Sequence, residues 1–326
     1  MIAIIGAGVA GSAAARVLTG SGQPVALFDK GRGPGGRAAC RRGLFDHGAQ
    51  FFTARDPRFQ KVVQQLAQQQ WVAPWECRSG VLGAQGFHPL RPEVARWVGT
   101  PGMSQLVEGL QSGLKVHFEH TVTGLERESQ AWYLQLGERR VGPFQALLLT
   151  APAPQAQSLL RPVAPPLADS LGAVEYDPCL AAMVELKSPA GLDFDAATVA
   201  EDGAGAGLGF VTRNTSKPHR QTQPERWILH SSVAFAREHL EAPPEQWTPT
   251  LWQQFCERTG LSAELAQEFK GHRWRYARVS KTLGQPYLWD PELQLGWAGD
   301  GALGPRLEAA FLSGLQLAEA LTGRAD

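Results

Sequence analysis

Gly6, Gly8 and Gly11 stand in a Gly-x-Gly-x-x-Gly row directly after the apolar run Ile2 to Ile5. Each glycine meets a different need of a bound pyrophosphate: a tight turn, a close backbone approach, and close packing of the next helix. Ser12 to Leu18 reads as that helix, whose free N–H groups and positive dipole end suit phosphate. Pro24 to Phe28 reads as a second strand. It ends on Asp29, placed to accept hydrogen bonds from ribose hydroxyls and to disfavour a 2′-phosphate. Lys30 to Arg37, with Gly36 and Arg37 at its end, then adds flexible backbone amides and guanidinium groups suited to pyrophosphate. A strand, the glycine row, a helix and an acid at the right distance predict dinucleotide binding, and the Lys30 to Arg37 extension favours FAD over NAD.

Chemistry of this kind needs a large, rigid frame. The chain has 326 residues, enough for about two domains. Lys+Arg and Asp+Glu both number 31, so no global field draws it to nucleic acid or anionic lipid. Hydrophobic residues make up 43% and charged residues 19%, a globular balance. No apolar run reaches the roughly 18 residues of a membrane span, and nothing after Met1 resembles a secretory signal, so a cytoplasmic location is expected. Cys40, Cys77, Cys179 and Cys256 form no C-x-x-C pair, and neither a metal site nor a disulfide framework is expected.

Phe59, Val62, Val63 and Leu66 recur at helical spacing, and a further helix starts near Gly102. Val116 to Phe118, Thr121 to Leu125, Trp132 to Leu136, Ala146 to Thr150, Glu175 to Leu186 and Trp227 to Val233 read as strands. Pro152, Pro154, Pro162, Pro165 and Pro166 break the pattern and mark passage into a second domain. Gly203 to Gly209 is too irregular for a second phosphate loop and reads as a mobile loop. Leu293 to Ala298 returns as a strand ending in Gly299-Asp300, where Asp300 would accept hydrogen bonds from the ribityl chain or the pyrophosphate region. Leu307, Ala310, Phe311, Gly314, Leu315, Ala318 and Leu321 then mark one helix face.

The Gly row, Asp29, Gly35-Gly36-Arg37 and the Asp46-x-Gly48 turn resemble the flavin-dependent amine oxidase superfamily. The stretch Asp46-His47-Gly48-Ala49-Gln50-Phe51-Phe52-Thr53-Ala54-Arg55 is narrower and resembles bacterial renalase-like flavoproteins. Arg96 to Ser104, Ala151 to Gln155, Arg213-Asn214-x-Ser216-Lys217-Pro218, His272 to Arg278, and Gly299-Asp300 with Arg306 to Gly314 extend that resemblance over essentially the whole chain. It implies an α/β, Rossmann-type FAD-binding domain (1–55, 96–155 and 271–326) interleaved with a smaller α+β substrate domain on a mixed sheet (56–95 and 156–270). It implies non-covalent FAD held by Gly6, Gly8, Ala10, Gly11, Asp29, Lys30, Gly36, Arg37, His47, Gly48, Ala49, Gln50, Val122, Ala151, Gly299, Asp300, Arg306, Leu307 and Ala310, with Val122 against the adenine.

Two departures bear on the reaction. Many amine oxidases place a lysine near the flavin's reactive nitrogen, on a strand that best matches Pro178 to Met183, where this chain has none; where they use a caging tyrosine it has Arg306. A guanidinium suits carboxylate, phosphate or carboxamide oxygens and repels an ammonium. The renalase-like resemblance implies oxidation of the 2- and 6-dihydro isomers of NAD(P)H to NAD(P)+, with hydride passed to FAD and then to oxygen, giving hydrogen peroxide. The alternatives are an amine oxidase or desaturase acting on a small metabolite, and a non-catalytic flavoprotein. The substrate face expected is Gln50, Asn214, His230, His272, Trp274, Tyr276 and Arg306: rings to sandwich a flat nicotinamide, and polar groups to orient its carboxamide. Arg213 and Lys217 would meet substrate phosphates or solvent. The partners expected are a small molecule and oxygen, with no nucleic acid, membrane or protein partner.

Overall fold

The computed structural model describes residues 1–91, 93–201 and 206–323. Ile2–Ile5 is fully buried and pairs in parallel with Val25–Phe28 on one side and Ala146–Leu149 on the other. A strand covered on both faces is a continuous apolar run rather than an alternating one, as these residues are. Leu288–Asp290 and Leu295–Trp297 extend this sheet at one edge and Val116–His117 at the other, giving six strands. The helices Val9–Gly20 and Leu307–Thr322 lie against each other beside it. Their contact is close because a β-carbon on Gly314 would overlap the Ala10 carbonyl. A three-stranded antiparallel sheet, Gly124–Glu128, Ala131–Leu136 and Arg139–Phe144, packs on the same core through Trp132 and Phe144.

The second domain is built on a mixed sheet of seven strands, one more than the first. Its order is Ala266–Lys281, Glu175–Leu186, Arg226–Ser231, Leu208–Arg213, Ala196–Val199, Ser79–Gly83 and Gly86–Pro89. Ala196–Val199 runs parallel to Ser79–Gly83 and the other pairs are antiparallel. One face is covered by the helix Pro244–Thr259, which buries Trp247, Leu251, Trp252 and Phe255 against it. The other face carries the polar residues described below.

Three expectations need correction. The return to the first domain was placed at 271, yet that position lies inside the strand Ala266–Lys281, whose pairing with Glu175–Leu186 runs from Ala266 to Lys281. Of the prolines read as breaks, Pro162 lies in a turn, but Pro152, Pro154, Pro165 and Pro166 stand at the starts of the helices Ala153–Leu160 and Pro165–Leu171. That use is physically natural, since the first turn leaves its N–H groups unbonded and the proline ring fixes a helical φ. Of the loop expected at Gly203 to Gly209, Leu208 and Gly209 open a strand, while 203–205 lie outside the described residues.

Candidate active site

The dinucleotide cradle follows from the first strand. Gly6 has φ +102°, a region side chains avoid, and Thr150 closes over it with its hydroxyl donating to the Gly6 carbonyl at 2.8 Å. At Gly11 a β-carbon would overlap the Gly6 carbonyl, so the helix can start this close only with glycine there. Gly8 is the residue before the helix and offers no side-chain cap to its N–H groups. A β-carbon on Gly8 would meet nothing within 4 Å, and one on Gly36 would lie 3.7 Å from the Gly8 Cα. Two glycine backbones thus face each other at an uncapped helix N-terminus, an arrangement that fits the pyrophosphate of FAD. Asp29 shapes this loop as well as facing it: its carboxylate accepts from Ala7 N at 2.7 Å and Gly31 N at 2.6 Å. Lys30 is exposed. Phe28 stacks on His117 at 5.0 Å, with His120 5.5 Å from His117, and Val122 packs on the same core cluster. Ala10 and Ala310 pack together in another cluster, with Leu307 beside them.

Arg37 was expected at the pyrophosphate, and Asp300 at the ribityl chain or pyrophosphate. The structure ties them to each other, with both guanidinium nitrogens donating to the Asp300 carboxylate at 2.6 Å. A carboxylate this buried needs a partner, and the planar fork supplies two hydrogen bonds at once. Burial alone would lower the Arg37 pKa, but Asp300 overcomes it and raises it. Tyr176, which the sequence did not single out, lies with its ring 5.6 Å from the guanidinium. Burial, with Asp300 nearby, pushes its phenol up to about 12. Tyr276 belongs to this group too: its carbonyl accepts from Arg37 at 3.4 Å, and its ring meets Tyr176 edge-on at 5.9 Å. The Ala151 carbonyl accepts from Trp297 at 3.0 Å, and Gly299 N donates to Ser313 at 2.9 Å.

The turn Asp46 to Gln50 carries the candidate substrate wall. Strand periodicity puts His272 and Trp274 on one face of Ala266–Lys281, and Tyr276 follows them within an irregularity of the pairing between Trp274 and Arg278. Ala181 pairs with both His272 and His230, which places the two histidines in one row across three strands. His47 meets this row: its ring stacks on Trp274 at 5.2 Å and lies edge-on to His272 at 4.6 Å. The His47 carbonyl accepts from Trp274 Nε1 at 2.9 Å and from His230 Nε2 at 3.1 Å. Gly48 is compelled by the same packing, since a β-carbon would overlap the Arg37 carbonyl, the group that accepts from Ala49 N at 2.9 Å. Burial pulls His47, His230 and His272 each down to about 4, so all three imidazoles are neutral at neutral pH. The wall is aromatic, polar and uncharged.

Behind the turn lies a buried ionic cluster that the sequence did not reveal. Lys217 was expected at phosphates or in solvent; its side chain and that of Asp46 are both 0% exposed, and Nζ lies 3.0 Å from the carboxylate. Arg220 donates to the same Asp46 oxygen at 2.7 Å, and Met103 N to the other at 2.8 Å. Burial alone would raise the Asp46 pKa, but Lys217 and Arg220 bring it down to about 2. Burial pulls Lys217 below the ordinary lysine value, against Asp46. Gln50 and Asn214, expected to orient a substrate carboxamide, are committed here instead. Gln50 Nε2 donates to the carbonyls of Asp46 and Gly48, and its Oε1 accepts from Lys217 at 3.0 Å. Asn214 is 1% exposed; its Nδ2 donates to the Leu44 carbonyl at 2.8 Å and its Oδ1 accepts from Asp46 N and Lys217 Nζ, each at 3.3 Å. Buried amides must spend their hydrogen-bonding capacity locally, which leaves these two little for a ligand. Arg213 likewise pairs with Asp195 at 2.9 Å. Arg306, 49% exposed, faces Glu308 at 3.6 Å. Among the described residues no His/Cys/Asp/Glu group could hold a metal, and no helix is long and apolar enough to cross a membrane.

Residues 4–66 match the model of the NAD(P)-binding Rossmann-like domain, and residues 76–322 match that of the flavin containing amine oxidoreductases. The chain belongs to the flavin containing amine oxidoreductase family. It is an FAD-dependent oxidoreductase, with FAD bound non-covalently through its Rossmann-type domain. The fold is similar to that of cyclohexylamine oxidase from Brevibacterium oxydans IH-35A, with 14% identity, TM-score 0.76 and coverage of 99% of this chain and 98% of that one. It is also similar to putrescine oxidase bound to putrescine, at 13% identity and TM-score 0.75, with 99% of each chain covered. Reduced UDP-galactopyranose mutase matches at 13% identity and TM-score 0.76, over 99% of this chain and 93% of that one. At these identities the likeness is one of fold.

Proposed function

We propose that this family member is an oxidase that takes hydride from a carbon next to an electron-rich nitrogen in a small, uncharged substrate, a neutral amine being the first class. The observation that carries this reading is the neutral wall of His47, His272 and Trp274, with ring centroids 4.2 to 5.2 Å apart. Such a wall contacts a flat or compact apolar body and offers no carboxylate to hold an ammonium. An amine must therefore react as the free base, whose lone pair drives hydride loss. Bound FAD supplies the two-electron acceptor. The substrate departs as an iminium ion, one hydride poorer, and oxygen takes the two electrons and two protons to become hydrogen peroxide. The chain's own part is to hold the carbon in place and keep water away, as neutral, buried side chains do. The likeness to cyclohexylamine and putrescine oxidases supports amines.

A second reading, renalase-like oxidation of 2- and 6-dihydronicotinamides, is favoured by Arg306, whose half-exposed guanidinium lies 3.6 Å from Glu308 as its one ionic contact among the described residues and suits a phosphate or carboxamide oxygen. Anaerobic mixing of the FAD-loaded protein with cyclohexylamine, putrescine, and NADH containing the isomeric dihydro forms separates the two. Bleaching of the oxidised flavin by an amine, accelerating as pH rises toward an alkylamine pKa of about 10.4, supports the first. Bleaching by the isomers alone, with no amine-like pH dependence, selects the second. A flavin that only dithionite reduces rejects both.

A further inference from the structure

The cluster behind the Asp46 to Gln50 turn does not balance in charge. Its one carboxylate, Asp46, faces two cations, Lys217 and Arg220, with side chains 0%, 0% and 2% exposed. Lys217 Nζ has three acceptors, Asp46 Oδ2 at 3.0 Å, Gln50 Oε1 at 3.0 Å and Asn214 Oδ1 at 3.3 Å, matching the three protons of an ammonium rather than the two of an amine. Cys40 adds no second negative charge, because burial and the neighbouring Asp46 push its thiol up to about 12. Donors are also in surplus: Arg220 Nε and Trp75 Nε1 are buried with no acceptor among the described residues, and the Trp75 ring lies 5.6 Å from Lys217 Nζ. A protein rarely buries an extra charge without a use for it, since the cost is several kcal/mol.

We propose that Lys217 and Arg220 are a fixed positive charge serving the flavin: their surplus over Asp46, held behind the turn that lines the cofactor, stabilises negative charge on the reduced ring and raises its reduction potential. The surplus is well placed for this. Gln50 connects Lys217 to the turn, and the same turn reaches Arg37 and the glycine cradle through Gly48 and Ala49. Neither cation touches the reacting atoms, so both act through space and through the turn. In a buried setting a unit charge about 10 Å away is worth roughly tenfold in an equilibrium that creates the opposite charge.

The inference rests on the flavin lying against this turn, and the test keeps the two apart. Sulfite, which adds to oxidised flavin and leaves the ring negatively charged, serves as the probe, alongside the midpoint potential of the FAD-loaded protein. Lys217→Met and Arg220→Met should each weaken sulfite binding about tenfold and lower the potential by about 30 mV, the tenfold equivalent for a two-electron couple. Lys217→Arg should restore both. Asp46→Asn, nearly isosteric, enlarges the surplus and should shift both readouts the opposite way. A merely structural cluster would give shifts of one sign, or none, in every variant that keeps FAD, and that result overturns the proposal. So does an FAD-loaded wild type that binds no sulfite, whereas a wild type unable to bind FAD overturns the underlying reading itself.

Discussion

Arg37 and Asp300 are 263 positions apart, and their ion pair ties the loop after Asp29 to the C-terminal return. Replacing Arg37 with methionine leaves a carboxylate only 11% exposed without its partner. We expect a loss of about 3 kcal/mol, the low end for a broken buried pair because Arg37 itself retains some exposure, read as a lower denaturant midpoint together with loss of FAD on gel filtration. Arg37→Lys should recover part of the stability, since a point charge cannot reproduce the two-pronged contact. Such pairs mark the limit of what one sequence discloses. The glycine row was legible because a turn, a close approach and a helix start are local demands. The partnership of Lys217 with Asp46 spans 171 positions and was not, so Gln50 and Asn214 were assigned to a ligand when the fold assigns them to a buried lysine.

At the scale of elements, the same distinction holds. Glu175–Leu186 was read with its observed bounds from the apolar run Cys179 to Val184 at its centre, although Asp177, Pro178 and the two glutamates are poor strand formers. Ala266–Lys281 gives no comparable signal: its face toward the site carries histidine and tryptophan, so it lacks an apolar alternation, and its length is set by pairing with Glu175–Leu186. The helix Pro244–Thr259 carries Trp247, Leu251, Trp252 and Phe255 at helical spacing, but Pro249 inside it argues against a helix from sequence, and the sheet it covers decides the outcome. The helices Val9–Gly20 and Leu307–Thr322 pose a sharp packing demand, where Gly314 faces the Ala10 carbonyl. Gly314→Ala must push Leu307–Thr322 away from the helix that opens the pyrophosphate cradle. Overpacking of this kind costs about 1–3 kcal/mol, even though alanine favours the helix itself by about 1 kcal/mol over glycine. A lower melting temperature and weaker FAD retention are expected, and unchanged values would show that the helices separate without consequence for the cradle.

For the whole molecule, acid sensitivity follows from the site. His47, His230 and His272 come from both domains and share one buried wall, each held near 4 chiefly by burial, with Arg41 close to His47 and His272, and Lys217 close to His230. In the unfolded chain a histidine titrates near 6.5. The folded pKa values are lower, so the unfolded state binds protons first as pH falls. Stability should therefore be flat above about 7, decline from about 6.5 toward 4, and stop declining on this account below that. Each imidazole contributes at most about 1.4 kcal/mol per pH unit within the window. Asp46, held down to about 2, adds its loss separately, below the ordinary carboxylate range near 3.8. Denaturant unfolding between pH 8 and 4 tests this, with His272→Phe as the control: it removes one titrating group from an aromatic contact and should flatten the slope. Because the wall joins residues of the first domain's turn to strands of the second, unfolding and FAD release should share that acid limb; FAD release without it would mean that the cradle opens while the wall remains closed.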